Sequence, residues 1–219
     1  MATVIGTLSH EFGHYIVAKS LGYKANLHYA SAHWYDPGSF DSIDAITSKY
    51  RKQIEEGSSF PGKEKYDRLI LKYSNDGLLI TIGGPLQTLL TGTIGLMLLF
   101  VWKNSFRSGQ NLTPQQWTLV FITLFWLRQA ANLIVWLGSY LLTKELSYKG
   151  DEIKTALKLS LPFWSLIIVT GLIGIFVLLI VVFKFIPKTQ RQTFILSGIV
   201  GGTAGYILWL YLLGPVLLP

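Results

Sequence analysis

The sequence predicts an all-α polytopic membrane protein with about five transmembrane helices. The chain has 219 residues, of which 50% are hydrophobic and only 14% are charged, and its mean hydropathy is +0.41. A soluble domain usually carries about 25% charged residues, so this chain has too few to cover a globular surface. Long apolar segments recur along the whole chain, which predicts a single membrane-embedded domain over residues 1–219.

The predicted spans follow from segment length, because a helix needs about 20 residues to cross the hydrocarbon core. Four segments meet this length: 78–102, 116–143, 163–186 and 194–217. A first helix over 2–22 contains two histidines, a glutamate and a lysine, so we expect it inside the bundle, away from lipid. Residues 1–162 would form the core, and the last two helices, within 163–217, would be additions.

The polar stretch 23–77 joins the first two predicted helices and holds eight basic and eight acidic residues. Residues 27–34 predict a short strand, and the Asp-Pro-Gly sequence that follows predicts a turn. Residues 41–56 and 62–74 predict two amphipathic helices on the membrane surface. Glycines four residues apart in 198–205 predict close helix packing in the last span.

The net charge of +7 lies mostly in short loops between apolar segments, which favours lipid head groups over nucleic acid as the partner. Loops 23–77 and 144–162 hold 12 Lys and Arg, against 5 in loops 103–115 and 184–193. The positive-inside rule therefore places the first pair in the cytoplasm. We expect a multi-pass integral membrane protein, such as one of the bacterial inner membrane.

A candidate metal site lies in the first helix, where His10-Glu11-Phe12-Gly13-His14 matches the pattern H-E-x-x-H. Residues four apart share one helix face, so both imidazoles can reach one cation. Glu11 is then placed to deprotonate a water activated by the metal. Two imidazoles and a carboxylate suit one zinc ion, and the absence of cysteine limits any ligand to His, Asp or Glu.

Residues 7–18, with the sequence TLSHEFGHYIVA, resemble the zinc helix of the site-2 protease family of intramembrane metalloproteases. Residues 83–90, GGPLQTLL, are similar to the family's G-P-x-x-N segment, although Thr88 stands where the family usually has Asn. The resemblance implies a zinc-dependent intramembrane endopeptidase that hydrolyses membrane proteins or membrane-associated peptides, with Glu11 as general base. It also implies that strand 27–34 pairs with an unwound substrate.

The third metal ligand departs from the family, whose N-P…L-D-G segment supplies an aspartate. Asn132 is present, but no L-D-G follows it closely, and the nearest acids are Asp151 and Glu152. The resemblance favours Asp151 as the ligand and leaves Glu152 as the alternative. Both acids can also simply begin a helix over 152–160, since acids favour helix N-termini. His28 and His33 are further alternatives, although both are typical of an interfacial strand.

Arg128 and Asn132 lie four residues apart within a predicted span, hence on one helix face. A charge at this depth indicates a functional site. The Asn132 amide can bind substrate backbone, and Arg128 can stabilise an oxyanion or pair with an acid. Both residues can equally be interhelical contacts.

Three other functions remain open. A membrane zincin of the prenyl-protein peptidase type would use H-E-x-x-H with a downstream glutamate ligand. A non-catalytic membrane scaffold would hold a structural metal in a closed coordination sphere. A metal transporter would need more acids along its helices than this chain carries.

Overall fold

The computed structural model describes residues 2–108 and 111–219, and they are mostly helical. The first half contains α1 (Ala2–Ser20), β1 (Lys24–Leu27), β2 (Ala32–Tyr35), α2 (Pro37–Glu55) and α3 (Lys63–Val101). The second half contains α4 (Pro114–Thr123), α5 (Leu127–Thr143), α6 (Asp151–Lys158), α7 (Ser165–Ile180), α8 (Lys188–Ile207) and α9 (Gly214–Leu217). A 3₁₀ turn joins α4 to α5, and π-helical turns follow α7 and join α8 to α9.

Four helical segments are long and apolar enough to cross a membrane. They are Lys63–Val101, Pro114–Thr143, Ser165–Phe185 and Lys188–Leu217. They are compatible with a multi-pass membrane protein and coincide, apart from their ends, with the four long segments expected from the sequence. Helix α1 forms where expected but is not among these four, so a fifth span stays a prediction.

Helix α3 differs from the expected arrangement because it is one helix of 39 residues. The sequence predicted a surface helix over 62–74 and a separate span from residue 78. Gly77 does not end the helix, since a glycine inside a helix costs only about 1 kcal/mol and packing can offset this. Gly77 is buried, and a Cβ added there would lie 3.0 Å from Lys158 Nζ and 3.7 Å from the Trp34 ring.

The single strand predicted over 27–34 is instead a two-stranded antiparallel hairpin, with Leu27 opposite Ala32. The chain turns at residues 28–31, where the His28 amide donates to the Ser31 carbonyl at 2.8 Å. The expected turn at 36–38 is the start of α2. The Asp36 side chain accepts a hydrogen bond from the Gly38 amide at the N-cap, as is typical of helix starts.

The bundle core forms where glycines let α3 and α7 approach Trp126, in the 3₁₀ turn between α4 and α5. A Cβ at Gly92 would lie 2.6 Å from the Trp126 side chain, and one at Gly174 would lie 2.9 Å from the Trp126 carbonyl. In contrast, Gly198, Gly201 and Gly202 of α8 have no neighbour within 4 Å among the described residues. The close packing predicted for these three glycines is therefore not observed.

Candidate metal centre

The centre lies where α1 and α3 come into direct backbone contact. A Cβ added at Gly13 of α1 would lie 2.4 Å from the Gly83 carbonyl oxygen of α3. A Cβ at Gly84 would lie 2.3 Å from His14 Nε2 and 2.7 Å from His10 Nε2. Glycine at these positions therefore lets the α3 backbone lie against both imidazoles, where any side chain would fill the space between them.

Three potential ligand atoms converge beside Gly84. Asp151 Oδ2 lies 3.0 Å from His10 Nε2 and 3.3 Å from His14 Nε2, and the two Nε2 atoms are 3.3 Å apart. Asp151 is the first residue of α6 and follows Gly150, whose φ of 112° favours glycine. His10, His14 and Asp151 thus form a cluster that could hold a metal ion.

The protons on both imidazoles can be assigned from their other contacts. His14 Nδ1 lies 2.6 Å from the Ile80 carbonyl oxygen, which can only accept, and 3.3 Å from the Gly84 amide, which can only donate. The much shorter contact with Ile80 indicates that Nδ1 carries a proton. The Thr88 hydroxyl donates to the Gly84 carbonyl at 3.0 Å. It must therefore accept from His10 Nδ1, also 3.0 Å away. In neutral imidazoles both Nε2 atoms then carry lone pairs directed into the cluster.

The charge in the cluster calls for a cation. Burial alone would raise the pKa of the Asp151 carboxyl, but a proton on the Nε2 atom of His10 or His14 would donate to it and lower that pKa well below its usual range. An ionised Asp151 and two imidazole lone pairs repel one another unless a positive charge lies between them. A proton shared with an imidazole or a metal cation satisfies this requirement.

The spacing of the donors fits zinc. Four-coordinate zinc holds nitrogen and oxygen ligands at about 2.0–2.2 Å in a tetrahedron, so ligand atoms lie about 3.3–3.5 Å apart. The three observed separations, 3.0, 3.3 and 3.3 Å, are close to this range. The Nδ1 contacts with Ile80 and Thr88 are of the kind that orients metal-bound histidines. The residues present therefore fit one zinc ion.

Glu11 lies at the edge of this cluster and is only 7% exposed. The Ala32 backbone of β2 lies near its carboxylate. Arg128 Nη2 of α5 lies 4.0 Å from Glu11 Oε1, too far for a hydrogen bond. The hairpin and α5 therefore both reach the proposed general base.

Glu152 does not join the cluster, although it was the alternative ligand. Its side chain is buried, and its Oε1 accepts a hydrogen bond from Asn132 Nδ2 at 3.2 Å. Asn132 thus contacts the residue next to Asp151 and ties α5 to the start of α6. His28 and His33 also lie outside the cluster, on the hairpin, with their rings 4.6 Å apart.

Several residues of the centre were not assigned a role from the sequence. They are the Ile80 carbonyl, Gly84, the Thr88 hydroxyl as an acceptor for His10, and the Ala32 amide. The glycine pair at 83–84 carried a usable signal, because small residues on two helices permit close approach. The contribution of a backbone group such as the Ala32 amide cannot be predicted from the pattern of side chains in the sequence.

Comparisons with protein-family models, with curated proteins and with solved structures found no match for this chain. A function for this fold therefore has to be argued from the chemistry of the site.

Proposed function

We propose that this protein is a zinc-dependent intramembrane endopeptidase, a divergent relative of the site-2 protease family. The observation that carries the proposal is the convergence of three lone-pair donors, His10 Nε2, His14 Nε2 and Asp151 Oδ2, within 3.3 Å of one another. A glutamate lies next to the first of them in sequence, as hydrolysis by an H-E-x-x-H helix requires.

The reaction assigns distinct tasks to residues of this chain. A zinc ion held by the three ligands would supply a Lewis acid that makes water a nucleophile near neutral pH. Glu11 takes a proton from the attacking water and later delivers it to the leaving amine. The Glu11 carboxylate that makes both transfers is buried beside the Ala32 backbone, which limits its movement.

The identity of the third ligand supports this proposal over the prenyl-protein peptidase type. That alternative needs a downstream glutamate, but the Glu152 carboxylate is engaged by Asn132, whereas Asp151 faces both imidazoles. A scaffold with a structural metal would close the fourth coordination position. Among the described residues the cluster has three members, which supports a position open to water.

The setting supports a membrane substrate. The long helices expose large apolar side chains, including Val135, Leu142 and Val200, as expected for a lipid-facing surface. An open groove at β1 is lined by Phe12, Tyr15 and Leu27, and Phe12 and Tyr15 belong to the same helix as the metal ligands. An extended substrate could add to the hairpin there by strand pairing.

We place loops 23–77 and 144–162, and with them the metal site, toward the cytoplasm.

The test combines metal content with hydrolysis. The purified protein should contain one zinc per chain by elemental mass spectrometry. In liposomes it should cleave members of a library of single-span peptides, detected by mass spectrometry. Glu11→Gln should keep the zinc and lose cleavage, because only the proton carrier is removed. His10→Ala should lose both.

The control separates misfolding from lost chemistry. Thermal unfolding and gel filtration of Glu11→Gln should match the wild type, since Gln has nearly the same shape as Glu. Full cleavage by Glu11→Gln would sink the proposed mechanism. A folded wild-type protein that takes up no zinc would remove the proposal altogether.

A further inference from the structure

Arg128 occupies an unusual position for a charged residue. It is the second residue of α5 and lies near the middle of the candidate span Pro114–Thr143. A guanidinium at the centre of a bilayer costs several kcal/mol unless it has partners or faces a polar cavity. Its surroundings should therefore reveal what compensates this cost.

The contacts of Arg128 leave most of its hydrogen-bonding capacity unused. Its Nε is buried without a hydrogen-bond partner. Its one charged partner in the described part of the chain is Glu11, 4.0 Å away. A guanidinium has five N–H donors, and an arginine that only joined helices would be expected to use several of them.

Asn132, on the same face of α5, gives the contrasting case. Its amide donates to Glu152 Oε1 at 3.2 Å, so it already has a structural partner. Of Arg128 and Asn132, only Arg128 is left with an unpaired buried donor, and its Nη2 lies on the side of Glu11, 4.0 Å from Oε1. A negatively charged group would complete its contacts.

We infer that Arg128 is a catalytic residue that binds the oxyanion formed from the substrate carbonyl. This inference rests on the proposed function. When water oxygen bonds to the carbonyl carbon, the π electrons of the C=O bond move onto its oxygen. They return to form the carboxyl product as the C–N bond breaks, and the leaving nitrogen takes the proton that Glu11 removed from water. Arg128 donates to the oxygen while it carries the negative charge.

The chemistry suits arginine at this position. Preorganised donors aimed at a developing oxyanion are among the largest contributions to catalysis, and they act more strongly in a site with little water. The guanidinium is permanently charged and offers two donors in a fixed plane. A residue beside Glu11 also lies close to the water that Glu11 activates, and hence to the carbonyl that this water attacks.

The simpler alternative is that Arg128 only balances the charge of Glu11. In that case its removal would change the proton transfer but would not change the affinity for a mimic of the tetrahedral intermediate. A phosphinic peptide is such a mimic, because its anionic phosphinate replaces the scissile amide. The two roles therefore differ in a measurable binding constant.

The experiment compares Arg128→Gln and Arg128→Lys with the wild type, using a peptide that the wild type cleaves and its phosphinic analogue. We expect Arg128→Gln to lower kcat/KM by about 10²- to 10³-fold, with a similar loss of affinity for the phosphinic peptide and little change in KM. Arg128→Lys should lie between, since it keeps the charge but loses the planar pair of donors. Zinc content should stay at one per chain.

Matched controls keep the result interpretable. Arg51→Gln changes an exposed arginine of α2, paired with Glu55, and should leave both constants unchanged. If Arg128→Gln fails to fold, Arg128→Lys carries the test. Wild-type affinity for the phosphinic peptide in a folded Arg128 variant would overturn the inference, whether or not cleavage fell. Failure of the wild type to cleave any peptide would instead count against the proposed function.

Discussion

Glycines have different consequences in two regions of the molecule, the contact between α1 and α3 and the exposed helix α8. Gly13, Gly83 and Gly84 bring two backbones together and leave space for the two imidazoles. Helix α8 also carries closely spaced glycines, yet none of its residues is buried. Of its four glycines, Gly205 alone has a close neighbour in the described chain, at Thr3.

The difference shows that closely spaced glycines allow a helix to pack closely against another helix, but do not by themselves indicate that it does. Close approach also needs a partner helix that offers a small surface at the same height. Gly13 and Gly83 meet this condition, because each is the nearest neighbour of the other. Gly198, Gly201 and Gly202 of α8 have no such partner within the described chain, so the same spacing has no packing consequence at these three positions.

Gly84→Ala should break the metal centre and have the largest effect. The new Cβ would lie 2.3 Å from His14 Nε2, so the imidazole must move out of reach of Asp151. We expect zinc affinity to fall by at least about 100-fold, the upper end of the losses seen when groups around a metal are disturbed. Competition with a chelator measures it, and normal zinc retention in a folded variant would contradict the proposed geometry.

Thr88→Val should have an intermediate effect that tests the proton assignment. Valine keeps the shape of threonine but removes the acceptor for His10 Nδ1, 3.0 Å away. The imidazole then loses the contact that fixes its tautomer, and zinc affinity should fall about 10- to 100-fold. Thr88→Ser keeps the hydroxyl and should retain affinity within a few-fold. Equal affinities in the two variants would mean that Thr88 does not orient His10.

Gly202→Ala should have the smallest effect and sharpen the contrast. Its Cβ would enter open space, and alanine favours a helix over glycine by up to about 1 kcal/mol. Zinc affinity and cleavage should therefore match the wild type, and thermal stability should be equal or slightly higher. A marked loss of stability, or dissociation of an oligomer, would show that another chain packs against this face of α8.

Much of the helical fold could be predicted from the sequence because it depends on local composition. The long apolar segments and α1 were predicted from hydropathy and from the H-E-x-x-H spacing. The unbroken course of α3 was not predicted, because the charged residues of 62–74 and the apolar residues from 78 onward are typical of two different environments. The helix continues through Gly77, which packs against Trp34 and Lys158. Both of these residues lie far from Gly77 in the sequence.

The candidate site was predictable where one motif supplied it and less so elsewhere. His10 and His14 follow from four-residue spacing, and Asp151 was expected from the resemblance and from the position of the loop. The choice between Asp151 and Glu152 depends on the direction of two adjacent side chains. This is set by Gly150 and by the hydrogen bond to Asn132, which no local pattern reveals.

The length of α3 has a consequence for control of the centre. Its 39 residues measure about 58 Å at 1.5 Å per residue, roughly twice the thickness of the hydrocarbon core. Its N-terminal part contacts the hairpin, because the Trp34 ring of β2 lies 5.1 Å from the Tyr73 ring, and Tyr23, just before β1, donates to Asp76 at 2.7 Å. One continuous helix thus connects this contact to Ile80 and Thr88. A protein that bound and tilted the N-terminal end of α3 would shift the support beneath both imidazoles without touching either of them.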